Sequence, residues 1–189
     1  RPAFHPSGLD RAQALAGGIT SGYSSNIFKG QPVSYGVAAN SGTNGTIQPS
    51  ATGAAWVGAF AGVQWTDTTG RARVSNYWPA NTAYTAGTCV AYFYNDNNIV
   101  YEIQANGSMA QTSIGGEYNF SSDIASGSST TGLSSCTLNA SSAVANGAQG
   151  QMRVVDLAPY VDNAWGDAYT IVRVVNAYSQ FFGNFTAVV

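Results

Sequence analysis

The run of residues 168–178 constrains the fold more than any other segment, because it is too apolar to lie exposed. It is rich in β-branched side chains, and polar interruptions come chiefly from Arg173 and Asn176. Apolar side chains at successive positions are typical of a strand that is covered on both faces. The segment therefore predicts a central strand around which the rest of the chain packs.

A turn made of conformationally special residues leads into this strand. Proline fixes one backbone angle, Asp and Asn side chains bond nearby backbone groups, and glycine adopts positive φ without a steric clash. A large indole in so short a polar turn is predicted to pack as a lid over the end of the core. Five residues form this predicted corner: Pro159, Asp162, Asn163, Trp165 and Gly166.

Short apolar segments separated by turn residues recur along the rest of the chain. About nine or ten such segments, with turns at intervals of about 8 to 12 positions, are typical of an antiparallel β-sandwich or barrel. We predict an all-β fold of this kind with a jelly-roll-like organisation. Residues 54–66 fit a helix by periodicity alone, but their glycines favour a bent strand, because each glycine inside a helix costs about 1 kcal/mol relative to alanine. Residues 88–94 and 99–105 predict the clearest hairpin, with its turn at residues 95–98.

The first 26 residues differ from the rest, since they contain two prolines and four glycines. We predict an extended N-terminal arm over residues 1–26, followed by a single β-domain over residues 27–189. The apolar side chains of Phe4, Leu9 and Leu15 predict that the arm lies on a surface, either of its own subunit or of a neighbour.

Few charges are available to attract charged partners. Charged residues make up 8% of the chain and its formal net charge is −2, whereas a share of about 25% is usual. The sequence contains neither the basic stripe that binds nucleic acid nor the polybasic patch that binds anionic membranes. It also lacks an apolar run of the roughly 18 residues that cross a bilayer and the apolar core of a signal peptide. We expect a soluble chain with a neutral polar surface that contacts proteins or sugars.

Side chains that commonly carry out chemistry are scarce. His5 is the only histidine, and it lies within the predicted arm. Cys89 and Cys136 lie in separate apolar segments without metal-ligand neighbours, which favours two small buried thiols over a disulfide. The phosphate-binding, dinucleotide-binding and nucleophile-elbow motifs are missing from the sequence. We therefore expect no enzymatic activity, no metal and no cofactor.

The two glutamates provide the one catalytic alternative. Glu102 and Glu117 each neighbour a tyrosine, and two carboxyl groups about 5 Å apart across paired strands are the apparatus of a retaining glycosidase. A small β-jelly-roll glycoside hydrolase that uses Glu102 and Glu117 is therefore one alternative. A noncatalytic carbohydrate-binding module is another, with aromatic rings as its sugar-binding face, although tryptophans are more often core residues.

Several motifs in combination point to a protein family. They are PAFHPSG at residues 2–8, SGY at 21–23, NIFKGQPV at 26–33, VGAFAGVQW at 57–65, SNYWPA at 75–80, YEIQAN at 101–106 and DNAWG at 162–166. Together they resemble tailed-bacteriophage head proteins of the decoration, or cement, type. The resemblance extends from residue 2 to about residue 178.

This resemblance implies a nonenzymatic virion component. Such a protein binds the outer surface of an assembled icosahedral capsid and stabilises contacts between major capsid protein subunits, often as a dimer or trimer. The expected location is the outer capsid surface, after assembly in the host bacterial cytoplasm. We expect the arm to supply contacts to the capsid or a neighbour through seven residues: Phe4, His5, Pro6, Leu9, Arg11, Leu15 and Tyr23.

Overall fold

A computed structural model describes residues 1–7, 14–36 and 45–183 of the chain. The described residues contain no α-helix, only a single 3-10 turn at Gln111–Ser113, and their main sheets are antiparallel. The all-β prediction is therefore confirmed. Thirteen strands are described: β1 (Pro2–Phe4), β2 (Ala14–Gly17), β3 (Pro32–Tyr35), β4 (Ile47–Pro49), β5 (Gly58–Thr66), β6 (Ala72–Ser75), β7 (Val90–Tyr94), β8 (Val100–Gln104), β9 (Glu117–Tyr118), β10 (Gly127–Ser128), β11 (Leu133–Ser134), β12 (Met152–Leu157) and β13 (Ile171–Asn176).

These strands form two main sheets that pack as a sandwich. One sheet has five strands in the order β1-β8-β13-β12-β9. The other has six strands, in the order β2-β7-β5-β3-β4 with β6 also paired to β5, and β10 and β11 form a separate small hairpin. Side chains from both main sheets meet in a first core, where Ala59 of β5 belongs to the same buried cluster as Val172 and Val174 of β13.

A second core lies on the other face of the six-stranded sheet. Phe60 follows Ala59 directly and belongs to this second cluster, so the two side chains point to opposite faces of β5. The sheet curls around the second core until its two ends meet. There, the Gly18 N–H donates to the Gly45 carbonyl at 3.0 Å, and the Ile47 N–H donates to the Gly18 carbonyl at 2.8 Å.

Strand β13 occupies the centre of the five-stranded sheet, as the sequence predicts. Only one face of β13 is covered, however, because the six-stranded sheet packs against that face alone. Val172, Val174 and Asn176 are buried, whereas the alternate residues Ile171, Arg173 and Val175 are half-buried. The prediction of a strand covered on both faces is wrong.

The predicted hairpin between residues 88–94 and 99–105 is also wrong. Strand β7 pairs with β2 and β5 in the six-stranded sheet, and β8 pairs with β1 and β13 in the five-stranded sheet. Since a strand has only two edges for hydrogen bonding, β7 and β8 have none left for each other. The chain instead crosses from one sheet to the other at residues 95–98.

The bent strand predicted within residues 54–66 is confirmed as β5. Its register shifts between Phe60 and Gly62, and Gly62 has a φ of 155°. Gly58 lies so close to β7 that an added Cβ would stand 1.7 Å from the Tyr94 carbonyl oxygen. The glycines therefore serve a bulge and a close backbone approach, both of which a larger residue would prevent.

The extended N-terminal arm is not confirmed. In the described part of residues 1–26, β1 pairs with β8 and β2 pairs with β7, so the segment completes an edge of each sheet of its own subunit. Ile19 and also Ile27, just beyond the predicted arm, are fully buried in the second core. Burial of these two side chains and the pairing of backbone groups offset the entropy that a free arm would retain.

A buried amide joins the two sheets. Gln151, just before β12, is fully buried. Its side-chain oxygen accepts hydrogen bonds from the Gly53 N–H at 2.7 Å and the Phe120 N–H at 3.1 Å. Its side-chain nitrogen donates to the carbonyls of Ala51 at 3.0 Å and Ala54 at 2.7 Å. The amide thereby fixes the turn that precedes β5 against β12 and the residues that follow β9.

The predicted corner between β12 and β13 is held chiefly by Asn163. Its side-chain nitrogen donates to the carbonyls of Ala158 and Ile171, both at 2.8 Å, and its oxygen accepts the Ile171 N–H at 2.9 Å. Trp165 packs against the first core but is only half-buried, so it does not seal the core as a lid.

The remaining corner residues have smaller structural roles. Pro159 and Asp162 are exposed. Gly166 has a φ of 94°, and its N–H donates to the Met109 carbonyl at 2.9 Å. Asp162 and Asn163 were the side chains predicted to bond nearby backbone groups. The Asn163 side chain does so, but it bonds the backbone at the two strand ends and not the backbone of the turn itself.

Replacing the buried amide tests its role in joining the sheets. Gln151→Ala leaves the N–H groups of Gly53 and Phe120 and the Ala54 carbonyl without a partner, whereas the Ala51 carbonyl still accepts the Ala54 N–H. We therefore expect the free energy of unfolding to fall by about 2 to 4 kcal/mol. Chemical denaturation measures the change. Gln48→Ala, at an exposed position of β4, serves as the control and should change stability by less than about 0.5 kcal/mol. Equal effects of the two substitutions would contradict the assigned role.

Two neighbouring substitutions test the corner. Asn163→Ala is expected to lower the free energy of unfolding by about 1 to 3 kcal/mol, because the Ile171 N–H loses its partner and the carbonyls of Ala158 and Ile171 each lose one of two hydrogen bonds. Asp162→Ala changes the adjacent exposed side chain and should have an effect below about 0.5 kcal/mol. Thermal and urea unfolding compare the two variants, and a larger effect of Asp162→Ala would disprove this account of the corner.

Candidate contact surface

The strand order keeps the two glutamates apart. Glu102 lies on β8 and Glu117 on β9, and β13 and β12 lie between them. Three strand spacings separate the two backbones by roughly 14 Å. A retaining glycosidase places its carboxyl groups about 5 to 5.5 Å apart and an inverting enzyme about 6.5 to 9.5 Å apart. The sheet therefore does not bring Glu102 and Glu117 together as a catalytic pair.

Glu117 is bound within the protein. Its side chain is fully buried, one carboxylate oxygen lies 2.7 Å from a guanidinium nitrogen of Arg153, and the other accepts the Gly150 N–H at 2.7 Å. These contacts hold β9 to β12 and to the turn before it. Because both oxygens are bonded and shielded from solvent, the carboxylate is a structural group of the sheet edge.

Glu102 is the centre of a polar cluster on the outer face of the five-stranded sheet. Its carboxylate lies 2.8 Å from Arg1 and 3.5 Å from Arg173, and it accepts the Tyr160 hydroxyl at 2.6 Å. Burial by itself raises the pKa of Glu102, but hydrogen bonds from Tyr160 and Arg1 and the charge of Arg1 outweigh it, so the pKa is lowered. The cluster thus favours an ionised carboxylate, whereas a glycosidase acid requires a raised pKa.

Phe4 and Tyr160 contact this cluster and are exposed, and further large apolar side chains are exposed on β12 and in the loop after it. The Arg173 guanidinium lies 5.1 Å from the centre of the Phe4 ring, and Phe4 is itself 39% exposed. Val155 is exposed on β12, and three more residues are exposed in the loop that joins β12 to β13. We call the resulting set the loop-end surface: Phe4, Val155, Tyr160, Val161 and Tyr169.

The loop-end surface is held in place by the strands beneath it. Tyr160 is tied to β8 through Glu102, and the loop closes on both strand ends through Asn163. Val161 is fully exposed and Tyr169 is 63% exposed. These two side chains contribute little to the core, and so they are available for a partner.

The predicted contact residues have different positions in the structure. Phe4 belongs to the loop-end surface, Pro6 is exposed, and Leu15 is 43% exposed on β2. His5 is buried, with its Nε2 atom 3.0 Å from Asp96, and Tyr23 packs against the second core. Leu9 and Arg11 lie outside the described residues.

Sequence reasoning did not identify most of the loop-end surface. Tyr160 and Val161 lie in the predicted turn, Tyr169 lies in the predicted central strand, and the local pattern does not mark Val155 as a contact residue. The sequence does contain one indication of this surface, since Tyr160 and Val161 are two large apolar residues inside a polar turn. Their exposure depends on which face of the turn meets the core, and local sequence does not fix that.

The four tryptophans do not form an exposed row for sugar stacking. Trp56 and Trp78 are almost completely buried, Trp65 is 9% exposed and Trp165 is half-buried. They belong to the first or the second core or pack against one of them. The expectation that tryptophans are core residues is confirmed for three of the four.

The described residues show neither a metal site nor a membrane-spanning helix. They contain no group of three or more His, Cys, Asp or Glu side chains arranged to hold a metal ion. Cys89 and Cys136 are both free, half-buried thiols, and burial raises the pKa of each. The described part of the chain has no helix with the length and hydropathy needed to cross a membrane.

Comparison with known proteins gives no match, whether to a family model, to a curated protein or to a solved structure.

The ionised state of Glu102 predicts a pH-dependent contribution to stability. Its pKa in the folded state lies below the ordinary value of 4.5. The stabilisation is therefore present above the unfolded-state pKa and is lost as the pH falls through the folded-state pKa. We expect Glu102→Gln to lower the free energy of unfolding at pH 7 and to have a smaller effect in strong acid. Urea unfolding at both pH values measures this difference, and an equal loss in acid would show that the charge is not responsible.

Proposed function

We propose that this chain is a structural component of a tailed-bacteriophage head. In this proposal it binds the outer surface of the assembled capsid, without enzymatic activity, and stabilises contacts between major capsid protein subunits. The observation that supports it most is the loop-end surface, where large apolar side chains are exposed on a fixed sheet. The resemblance of the sequence motifs to decoration proteins gives the surface its expected partner.

The chemistry of this surface suits protein recognition. Tyrosine and arginine are enriched at protein interfaces, where their apolar bodies pack and their polar ends bond. Tyr160 and Arg173 occupy the loop-end surface and its polar cluster. With only 8% charged residues in the chain, binding would rely on packing and neutral hydrogen bonds, and so it would depend little on salt.

The rigidity of the surface also favours binding. The loop between β12 and β13 is bonded to both strands through Asn163, and Tyr160 is bonded to Glu102. Side chains that are already positioned lose less conformational entropy when a partner binds. A closed shell presents many equivalent sites, so a dimer or trimer of this chain would gain further affinity by binding several sites at once.

The capsid-binding contacts are assigned to the body of the protein and not to a free arm. The described parts of residues 1–26 pair with β8 and β7 or pack in the second core. Phe4 is the predicted arm residue that lies on the loop-end surface, and it does so because β1 forms an edge of the five-stranded sheet. A contribution from Leu9 or Arg11 stays a prediction.

The carbohydrate alternatives receive less support from the geometry. The glycosidase hypothesis requires Glu102 and Glu117 to face each other, and two strands lie between them. A sugar-binding face requires exposed, coplanar rings, whereas three of the four tryptophans are core residues.

Binding to capsids tests the proposal. The purified chain is added to shells that were assembled from the major capsid protein of the same phage without it, and bound chain is measured after sedimentation. We expect saturable binding at a fixed ratio to the capsid subunit. The double substitution Val161→Glu and Tyr169→Glu places two charges in the apolar contact and should weaken binding by at least about tenfold, which corresponds to about 1.4 kcal/mol.

Val74→Glu is the matched control for this experiment. Val74 is 82% exposed on β6, which belongs to the other sheet, so the same change of residue is made away from the loop-end surface. Its binding should stay within about twofold of the unchanged chain, since surface substitutions outside an interface have small effects. Failure of the unchanged chain to bind shells would refute the capsid function. Equal weakening by the control would refute the assignment of the surface.

A further inference from the structure

A cavity of about 400 Å³ lies between the two sheets and extends to solvent at one edge of the sandwich. Its volume corresponds to roughly 13 water molecules at about 30 Å³ each, and it falls within the range of about 300 to 1,000 Å³ for small-molecule sites. The cavity follows the edge of β8 from Tyr101 to Gln104, and the opposite wall is formed by residues 133–137. Lys29 and Ser135, which are both exposed, mark its opening.

The interior of this cavity is apolar. Its inner wall is formed by the buried side chains of Trp56, Tyr101, Phe120 and Met152, with Ile103 beside them. The polar atoms of the aromatic residues already have partners, because the Trp56 indole N–H donates to the Gln151 carbonyl and the Tyr101 hydroxyl donates to the Tyr94 carbonyl, both at 3.3 Å. A sugar would find few hydrogen bonds on this wall, whereas an alkyl or aryl group would lose little by leaving water.

The charged residues at the opening indicate which polar group a ligand would carry. The charged residues that line the cavity are Arg1, Lys29 and Glu102, and Arg1 and Glu102 are 2.8 Å apart in an ion pair. No acidic side chain among the described residues lies within ion-pair distance of Lys29. Lys29 is also the only lysine of the chain. Lys29 is thus an exposed cation at the opening without an ion-pair partner among the described residues.

We propose that this cavity binds a small apolar monocarboxylate, with its hydrocarbon part between the sheets and its carboxylate beside Lys29. None of the five loop-end residues lines the cavity, and the proposal holds whether or not the chain binds a capsid. Octanoate is a suitable probe, because it combines an unbranched hydrocarbon chain with one carboxylate.

Calorimetric titration of the isolated chain tests the site. Octanoate should bind saturably with one molecule per chain. Lys29→Met should weaken octanoate binding by about two- to fivefold, as expected for an exposed ion pair. It should leave the binding of 1-octanol unchanged, since the alcohol has the same chain length and no charge. Arg71→Met, which removes an exposed cation in the turn before β6, is the matched control and should change neither affinity.

Cysteine modification locates the bound probe. Cys136 lines the cavity, whereas Cys89 packs against the second core. Octanoate should slow the reaction of Cys136 with a thiol reagent, measured by mass spectrometry, and should leave the reaction of Cys89 unchanged. The absence of saturable octanoate binding, or binding that leaves Cys136 unprotected, would overturn the site. Binding that Lys29→Met does not change, or an equal effect of Lys29→Met on octanoate and octanol, would overturn the role of the carboxylate.

Discussion

The sandwich depends on a buried amide that makes four hydrogen bonds, three of them to the other layer. The Gln151 side chain bonds to Ala51, Gly53 and Ala54 before β5, and to Phe120 after β9. A turn in that position would otherwise bury unpaired backbone groups, each of which costs about 1 to 3 kcal/mol. One side chain thus pairs the N–H groups of Gly53 and Phe120 and the Ala54 carbonyl, at a point where apolar side chains of both sheets pack in the first core.

A side-chain amide also holds the loop that carries most of the loop-end surface. Asn163 bonds to the backbone at the ends of β12 and β13 and continues the ladder between them through its side chain. Val161 and Tyr169 are therefore exposed on a loop whose two ends stay hydrogen-bonded to β12 and β13. A surface built in this way binds with little loss of conformational entropy, which is the physical basis of the proposed function in capsid stabilisation.

The two sites proposed for this chain use its few charges differently. On the outer face, Glu102 is surrounded by Arg1, Arg173 and Tyr160, so its charge is neutralised within the protein. At the cavity opening, Lys29 has no such partner among the described residues. In a chain with little long-range field, a lysine without an ion-pair partner beside an apolar cavity favours an anionic, apolar ligand.

Local sequence patterns predicted several elements correctly. The glycines within residues 54–66 indicated the bend of β5, the residues from Ile171 to Asn176 indicated a central strand, and the cysteines were predicted to be free. Predictions from local sequence were wrong where one strand could pair with more than one other strand. Strands β7 and β8 are adjacent along the chain and resemble a hairpin, yet each has both edges occupied by other strands. Phe4 was expected on an arm, yet β1 completes a sheet of its own subunit.

The sequence by itself therefore determined the class of fold, the low surface charge and the positions of the turns, because these follow from short-range conformational preferences and from composition. Only the tertiary structure decided which strands pair, which glutamate lies where, and which apolar residues stay exposed. Those outcomes depend on competition among distant segments for a limited number of sheet edges and for space in two cores. The separation of Glu102 from Glu117, the loop-end surface and the cavity beside Lys29 all result from that competition.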